Sequence, residues 1–456
     1  MLQSICRAQM LLYISIDNKR KWQRMILNYV KVIDSENTNV IDCKFSFEDN
    51  QDSFNNHNTL ILGENGVGKS FILRLVTDIF MNIDKARKQK RKPKFKYQGF
   101  TIDYWLDGRR YKIVRASPRD TKAWCDDLEI KLEEIKLPQK ILAVSFMVND
   151  KFYATEDNTY KYLGVRSSNN STYTSSLAIK IYHNLLAALE KNQYDKISNI
   201  LKMIDFEAEY FKCTIKREER KTIKIIKDGV SQEKVKIIRK STDHKFIIDS
   251  DHRYDFSDYE LKSDESLDDL VFVKNGKEVS FEVCSSGEKH ILFAFSGVLS
   301  QIEDESLILI DEPEISLHPK WQIEYMSNLD KIFKDVKSCH FVLASHSHFF
   351  VSDLPPKASS LVVMDREEDC FKSTIYSQET SAWSAEDIIY NVFKLRTTRN
   401  YYFERDIGEL LSLMASDDMD IERMKMYIDK LKVYVLSDND PLLEVIRDAE
   451  EYIRNV

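Results

Sequence analysis

Three stretches carry residue types that could act together on a phosphate anhydride. The first, Gly63-Glu64-Asn65-Gly66-Val67-Gly68-Lys69-Ser70, follows the apolar run Thr59-Leu60-Ile61-Leu62 and leads into Phe71-Ile72-Leu73-Arg74-Leu75-Val76. An apolar strand, a glycine-rich turn ending in Lys-Ser and an apolar helix make a phosphate-binding loop in the context such a loop requires. Glycines at 63, 66 and 68 let backbone N–H groups converge on phosphates, and the helix beginning near Lys69 directs its positive dipole end at them. Lys69 is placed to reach the β- and γ-phosphates and the Ser70 hydroxyl to ligand Mg²⁺. The nucleotide-contacting set is Gly63, Glu64, Asn65, Gly66, Val67, Gly68, Lys69, Ser70 and Phe71.

The second stretch is Ser306-Leu307-Ile308-Leu309-Ile310-Asp311-Glu312-Pro313-Glu314. Four apolar residues ending in Asp-Glu place two carboxylates at the tip of a parallel strand, where Asp311 can hold hydrated Mg²⁺ and Glu312 can orient and deprotonate an attacking water. The third, Cys339-His340-Phe341-Val342-Leu343-Ala344-Ser345-His346-Ser347-His348, reads as a strand ending in histidine. His346 is placed to contact the γ-phosphate and sense nucleotide state. A structural ion pair at 311–312 and a structural histidine at 346 are the bland alternatives. A further Ser/Gly turn, Cys284-Ser285-Ser286-Gly287-Glu288, precedes the apolar helix Ile291–Phe295; it suits an anion, and it would equally serve as a plain helix cap.

Several elements must hold these residues. Short apolar runs over 22–62 suggest an antiparallel sheet feeding the strand that carries the glycine-rich loop. The helix after that loop is expected to end near Met81 and to dissolve into a run with eight basic residues among the twelve from 85 to 96. That run reads either as a contact for DNA or RNA phosphates or as a solvated helix end. Ile141–Phe146 reads as a buried strand. From about 165 to 280 the composition changes: helical periodicity over 176–204, hairpin-like alternation over 211–248 around Asp228-Gly229, and an acidic stretch over 249–269 whose carboxylates lack strand-end placement. Beyond 406 the chain reads as helical. Ile421, Met424, Ile428, Leu431 and Val435 form a stripe suited to an intramolecular core or to docking a second protomer or partner, and Asp440-Pro441 opens the last helix.

Composition bounds the class. The chain has 456 residues, 43% of them hydrophobic, and a net charge of −7, so wholesale polyanion binding is not implied and any nucleic-acid contact must be local. Seven scattered cysteines without a C-x-x-C pair suit reduced thiols in a cytoplasm. The apolar segment Met10–Ile16 is too short to span a bilayer, and the expected location is cytoplasmic with no membrane contact.

The order phosphate loop, Ser-Ser-Gly-Glu turn, Leu-Ile-Leu-Ile-Asp-Glu-Pro-Glu, Ser316-Leu317-His318-Pro319 and Ala-Ser-His-Ser resembles the ABC-type ATPases of the RecF, Rad50 and OLD group. The resemblance implies an α/β fold: a P-loop ABC-type head with a mixed sheet, an inserted α/β lid or arm, and a helical C-terminal region. The segments would be 20–150 and 281–380 for the head, 151–280 for the arm, and 381–456 for oligomer or partner contacts. It further implies ATP and Mg²⁺ as cofactors, and Ser285, Ser286, Gly287 and Glu288 as the signature motif that completes a neighbouring protomer's ATP site. Hydrolysis would then occur only in a head-to-tail dimer, with Ser316–Pro319 as a dimer-contacting loop. Ser286 stands where many relatives have glycine, and Asn149 or Asp150 stands in for the glutamine expected after the 141–146 strand.

A narrower likeness covers Leu137–Phe152, Tyr160–Arg166, Ser384–Phe393 and Thr398–Tyr402, which look like the PtuA ATPases of the Septu antiphage system and of related retron systems. That likeness implies assembly with a separate HNH nuclease; in this chain itself no nuclease centre is read. A RecF-like DNA-binding ATPase of repair or chromosome maintenance is the alternative. The interval between Lys69 and Ser285 is too long for a compact transport ATPase and too short for the arms of a Rad50-like protein.

Overall fold

The apolar runs flanking the chemical residues become neighbours in one sheet. The computed structural model describes residues 24–46, 55–88, 95–117, 120–155, 157–166, 173–227, 230–256, 259–376, 383, 387–388, 390, 400–416, 420–434, 440 and 442–455. Its strands in chain order are β1 (Ile26–Ile33), β2 (Asn39–Lys44), β3 (His57–Leu62), β4 (Gly99–Leu106), β5 (Arg109–Ser117), β6 (Asp120–Cys125), β7 (Leu128–Ile130), β8 (Ile141–Ser145) and β9 (Tyr160–Gly164). They continue as β10 (Glu207–Lys227), β11 (Val230–Ile247), β12 (Glu265–Lys274), β13 (Lys277–Ser280), β14 (Leu307–Asp311), β15 (His340–Ala344), β16 (Ser359–Glu367) and β17 (Cys370–Tyr376).

Thirteen of these strands form one mixed sheet, ordered β7-β6-β5-β4-β1-β2-β17-β16-β3-β15-β14-β8-β9. From β16 through β3, β15, β14 and β8 to β9 every adjacent pair is parallel. Every residue of β3, β8, β14 and β15 is buried, as expected for near-continuous apolar strands covered on both faces. The expected antiparallel sheet does form from β1 and β2, yet it does not border β3: β17 and β16 lie between. Hairpin partners can be read locally, whereas the C-terminal strands that intercalate come from more than three hundred residues downstream.

The helix after the glycine-rich loop, α1 (Lys69–Arg87), runs past Met81. Asp84 accounts for the extension, because it pairs with Arg87 at 3.1 Å and Lys88 at 2.5 Å across the last turn, where cations also complement the helix dipole. Residues 89–94 of the basic run lie outside the described residues.

Two helices, α2 (Tyr173–Glu190) and α3 (Tyr194–Met203), precede a second sheet ordered β11-β10-β12-β13. The expected hairpin is β10–β11, in register from Tyr210↔Ile247 to Lys227↔Val230; Asp228 and Gly229 themselves lie outside the described residues. Carboxylates of the acidic stretch answer cations of β10: Asp264 pairs with Arg217 at 2.8 Å and Asp268 with Lys216. Strand β9, inside the segment read as an arm, instead extends the main sheet beside β8.

The signature-like turn opens α4 (Ser286–Gln301), and α5 (Pro319–Ile323) and α6 (Tyr325–Phe333) follow β14. A second compact unit spans Glu386–Val456 and contains α7 (Tyr401–Ala415), α8 (Ile421–Lys432) and α9 (Leu442–Asn455). Met424, Ile428 and Leu431 bury in that unit's own core with Phe403, Leu410 and Ile446, while Val435 and Pro441 lie outside the described residues. Asp440 caps α9 by accepting from the Leu442 N–H at 3.0 Å. Among the described residues no helix is long and apolar enough to cross a membrane.

Two buried histidines tie β3 to β15. His340 Nδ1 accepts from the Leu27 N–H at 3.0 Å, so its Nε2–H donates to Thr59 Oγ1 at 2.8 Å, and Thr59 donates on to the Phe45 carbonyl. His57, its register partner, meets Ser360 through Nε2, while its buried Nδ1 has no hydrogen-bond partner. Burial lowers His57 to about 3 and His340 well below its ordinary value. Their folded forms resist protonation, so the stability they confer is complete above about pH 6.5 and is lost as pH falls, at about 1.4 kcal/mol per unit per histidine. Urea unfolding between pH 7 and 5 should show this decline, and His57→Gln should make it shallower; an unchanged slope in that variant would contradict the assignment.

Candidate functional site

The parallel register aligns four strand ends. Ser145 of β8, Asp311 of β14, Ala344 of β15 and Ile61 of β3 lie in one row across the sheet. Everything that follows these residues therefore emerges at the carboxyl edge, where α/β sheets place ligand sites.

At the first of these ends, Gly66 and Gly68 both adopt φ +88, and Gly68 caps α1. A Cβ at Gly68 would sit 2.8 Å from the Phe371 ring, so both space and backbone conformation demand glycine there. Lys69, 5% exposed, donates to the carbonyls of Gly63 at 2.7 Å and Glu64 at 3.0 Å. Burial lowers its ammonium pKa, and the nearby Glu312, Glu314 and Asp311 oppose that change.

Asp311 is 1% exposed, and both of its carboxylate oxygens are buried without a hydrogen bond. Burial pushes the carboxyl up to about 7, with the adjacent Ser70 hydroxyl opposing the rise and Glu312, Asp150 and Glu314 adding to it. A doubly orphaned carboxylate beside a hydroxyl is a donor set for a hard cation, so Ser70 and Asp311 fit Mg²⁺. Of the two stand-ins for the missing glutamine, Asn149 is exposed and Asp150 is buried; Arg166 binds Asp150 at 2.8 Å and Tyr162 donates to it.

Glu312 leaves the strand at φ +53, a left-handed conformation that costs a non-glycine residue about 1–3 kcal/mol and is found where surroundings impose it. Its N–H donates to the Ala344 carbonyl at 2.8 Å, which fixes the turn. Its carboxylate lies 2.9 Å from His346 Nδ1, and Glu314 lies 2.8 Å from the same nitrogen. Glu314 also accepts from the His346 backbone N–H at 2.7 Å. Burial raises Glu312, with Glu314 adding and His346 and Lys69 opposing. For Glu314 burial acts upward too, but the His346 side chain and N–H outweigh it and hold it below its ordinary value. The hydrogen bond to Glu314 raises His346 against the effect of burial.

The structure thus brings Lys69, Ser70, Asp311, Glu312 and His346 to one strand edge, and adds Glu314, to which the sequence reading gave no role. The available signal was the second glutamate of Asp-Glu-Pro-Glu, two residues past the proposed base. The arrangement can hold a cation, neutralise phosphate charge through Lys69 and accept a proton at Glu312.

The 285–288 turn lies at the start of α4. Ser285 caps α4, its hydroxyl accepting from the Glu288 N–H at 3.2 Å while Glu288 Oε2 accepts from the Ser285 N–H at 2.7 Å. Lys274 holds the other oxygen of Glu288. Gly287 is pressed against the chain, since a Cβ there would meet the Ser316 carbonyl and Trp321 at 2.7 Å. Ser285 and Ser286 are exposed.

If Asp311 is a metal ligand held unpaired, Asp311→Asn should raise the thermal midpoint of the nucleotide-free protein at pH 8, relieving about 1–3 kcal/mol of uncompensated burial. The same variant should lose any further stabilisation by Mg²⁺ added with ATP; scanning fluorimetry reads both, and a lowered midpoint would contradict the assignment.

Residues 128–352 match the family described as "AAA domain, putative AbiEii toxin, Type IV TA system". The Septu protein PtuA of Bacillus thuringiensis is 23% identical over 414 residues, spanning 87% of this chain and 92% of that protein. The Retron Vc95 probable ATPase of Vibrio cholerae is 30% identical over 90 residues, 17% of either chain. Among solved structures, the SMC head domain from Thermotoga maritima is similar at 11% identity and a TM-score of 0.37, covering 77% of this chain and 99% of that one. The chain is thus similar to Septu PtuA along most of its length, and to the AAA family over residues 128–352.

Proposed function

We propose that this chain binds and hydrolyses ATP as the ATPase subunit of an antiphage defence complex, dimerising head-to-tail on ATP and controlling a separate HNH-type nuclease. The observation that carries the hydrolytic part is Asp311, buried beside Ser70 with both oxygens unpaired, one residue before a glutamate bonded to His346. The defence setting rests on the similarity to Septu PtuA along most of the chain.

In this reading the glycine-rich loop grips the triphosphate through its N–H groups, and Lys69 releases the Gly63 and Glu64 carbonyls to reach it. Ser70 and Asp311 would hold Mg²⁺, which would supply neutralisation of phosphate charge there. Glu312 orients the attacking water and takes its proton, while His346 contacts the γ-phosphate and Glu314 fixes the imidazole. Ser285, Ser286, Gly287 and Glu288 of one protomer face the triphosphate of the other, and 381–456 provides oligomer or partner contacts. A RecF-like DNA-binding ATPase is the second reading; a basic run beside α1 favours it, and an HNH reading frame next to the gene would favour defence.

Lys69→Ala should abolish binding of a fluorescent ATP analogue. Glu312→Gln should retain binding, slow turnover by about 100-fold or more and accumulate an ATP-bound dimer, read by phosphate release and light scattering. Turnover in Glu312→Gln equal to that of the parent would remove Glu312 from the role of base.

A further inference from the structure

A groove of about 850 Å³ runs along α1 on the side of Phe71, Arg74, Asp78, Asn82 and Lys85, residues whose three- and four-residue spacing puts them on one helix face. It shares only Phe71 with the nucleotide-contacting set. Opposite α1 stand Phe95, Lys96, Tyr97 and Tyr153. Tyr97 meets Phe71 edge-on at 6.3 Å between centroids, and Phe95 meets Tyr97 edge-on at 5.8 Å. Four aromatic rings therefore line one wall system, interleaved with cations.

The charges are not balanced within it. Arg74 is committed, donating to the Tyr153 hydroxyl at 2.6 Å and lying 3.9 Å from Asp78, the groove's one carboxylate among the described residues. Lys85 bears on Asp78 through space, whereas among the described residues Lys96 and Arg115 make no ion pair with a carboxylate there. Arg115 is the telling one. It is 6% exposed, its guanidinium lies 5.7 Å from the Phe95 centroid, and Nη1 donates to the neutral Asn82 side chain at 2.5 Å. Its Nε, fully buried, has no hydrogen-bond partner. A guanidinium removed from water, held by a neutral amide and keeping an unused N–H is costly unless an anion completes it.

Aromatic faces beside unpaired cations are the chemistry of a nucleotide unit, a base that stacks and a phosphate that pairs. We propose that this groove binds single-stranded nucleic acid, a base stacking on Tyr97 or Phe95 and the backbone phosphate pairing with Arg115 and Lys96. The inference does not rest on ATP hydrolysis by this chain. It does place the ligand close to that site, because Tyr153 lies three residues after Asp150, whose charge bears on Asp311.

The test uses the full chain and fluorescein-labelled oligo-dT and oligo-U of about twenty nucleotides, followed by anisotropy without ATP. The expected result is binding that weakens between about 50 and 200 mM salt and falls about tenfold or more in a Lys96→Glu, Arg115→Gln double variant. Lys96 is exposed, so Lys96→Glu alone should fold normally and still weaken binding several-fold. Retained binding of the fluorescent ATP analogue checks the fold of both variants. Competition by free UMP or dTMP would support the base-and-phosphate chemistry and identify the unit as a free nucleotide; its failure would assign the strand. Absence of oligonucleotide binding, equal affinity in the variants, or preference for blunt duplex would overturn the proposal, the first pointing to a protein segment as occupant.

Discussion

The constraint on which the site depends is the shared parallel register of β8, β14, β15 and β3. Parallel pairing in phase brings Asp311, Ala344, Ser145 and Ile61 to one line, so their successors must all turn at the same edge. A slip of one residue would turn Asp311 to the opposite face of the sheet, away from Ser70. The buried His57 and His340 pair pins part of this phase, because Thr59 and Leu27 accept and donate only when β3 and β15 are aligned. Stability of the sheet and geometry of the chemistry are thus the same requirement.

Charge is what makes this edge suit the proposed metal. Asp311, Glu312 and Glu314 converge where Lys69 and His346 are the nearby cations, and burial opposes ionisation of all three carboxyls. Adding a triphosphate to that set brings more negative charge into a low-dielectric edge. A divalent cation at Asp311 would reverse the sign of the local field, and two oxygens stand unpaired at the place where it would bind. Glu314 has a different task. It is bound by both the ring and the backbone of His346, so it orients the imidazole toward Glu312 and leaves Glu312 less encumbered.

What could be read in advance divides by the range of the interaction. The glycine-rich loop and the Asp-Glu strand tip were legible because strand, turn and helix are contiguous, and their backbone demands appear directly as Gly68 or as Leu307–Ile310. The role of Glu314 was not, since its partner His346 lies 32 residues downstream and the contact exists only once β14 and β15 pair. The full reach of α1 was missed because a basic run reads as solvated chain until Asp84 is seen to neutralise Arg87 and Lys88. Strand β9 was assigned to an insert because an edge strand of alternating burial carries a weaker signal than the fully buried β8 beside it.

The signature-like turn shows how a motif can be structural and available at once. Ser285 and Glu288 satisfy each other and Lys274, and Gly287 is closed off by Ser316 and Trp321. Those three residues therefore set the entry angle of α4 and hold the Ser316–Pro319 loop against it. What remains to meet an anion is the Ser286 side chain and the N–H groups of Ser286 and Gly287, which have no acceptor within the helix. In the proposed head-to-tail pairing, replacing a more usual glycine by Ser286 thus adds a hydroxyl at an exposed position of the turn that takes no part in the cap, and leaves the capping hydrogen bonds that shape it untouched.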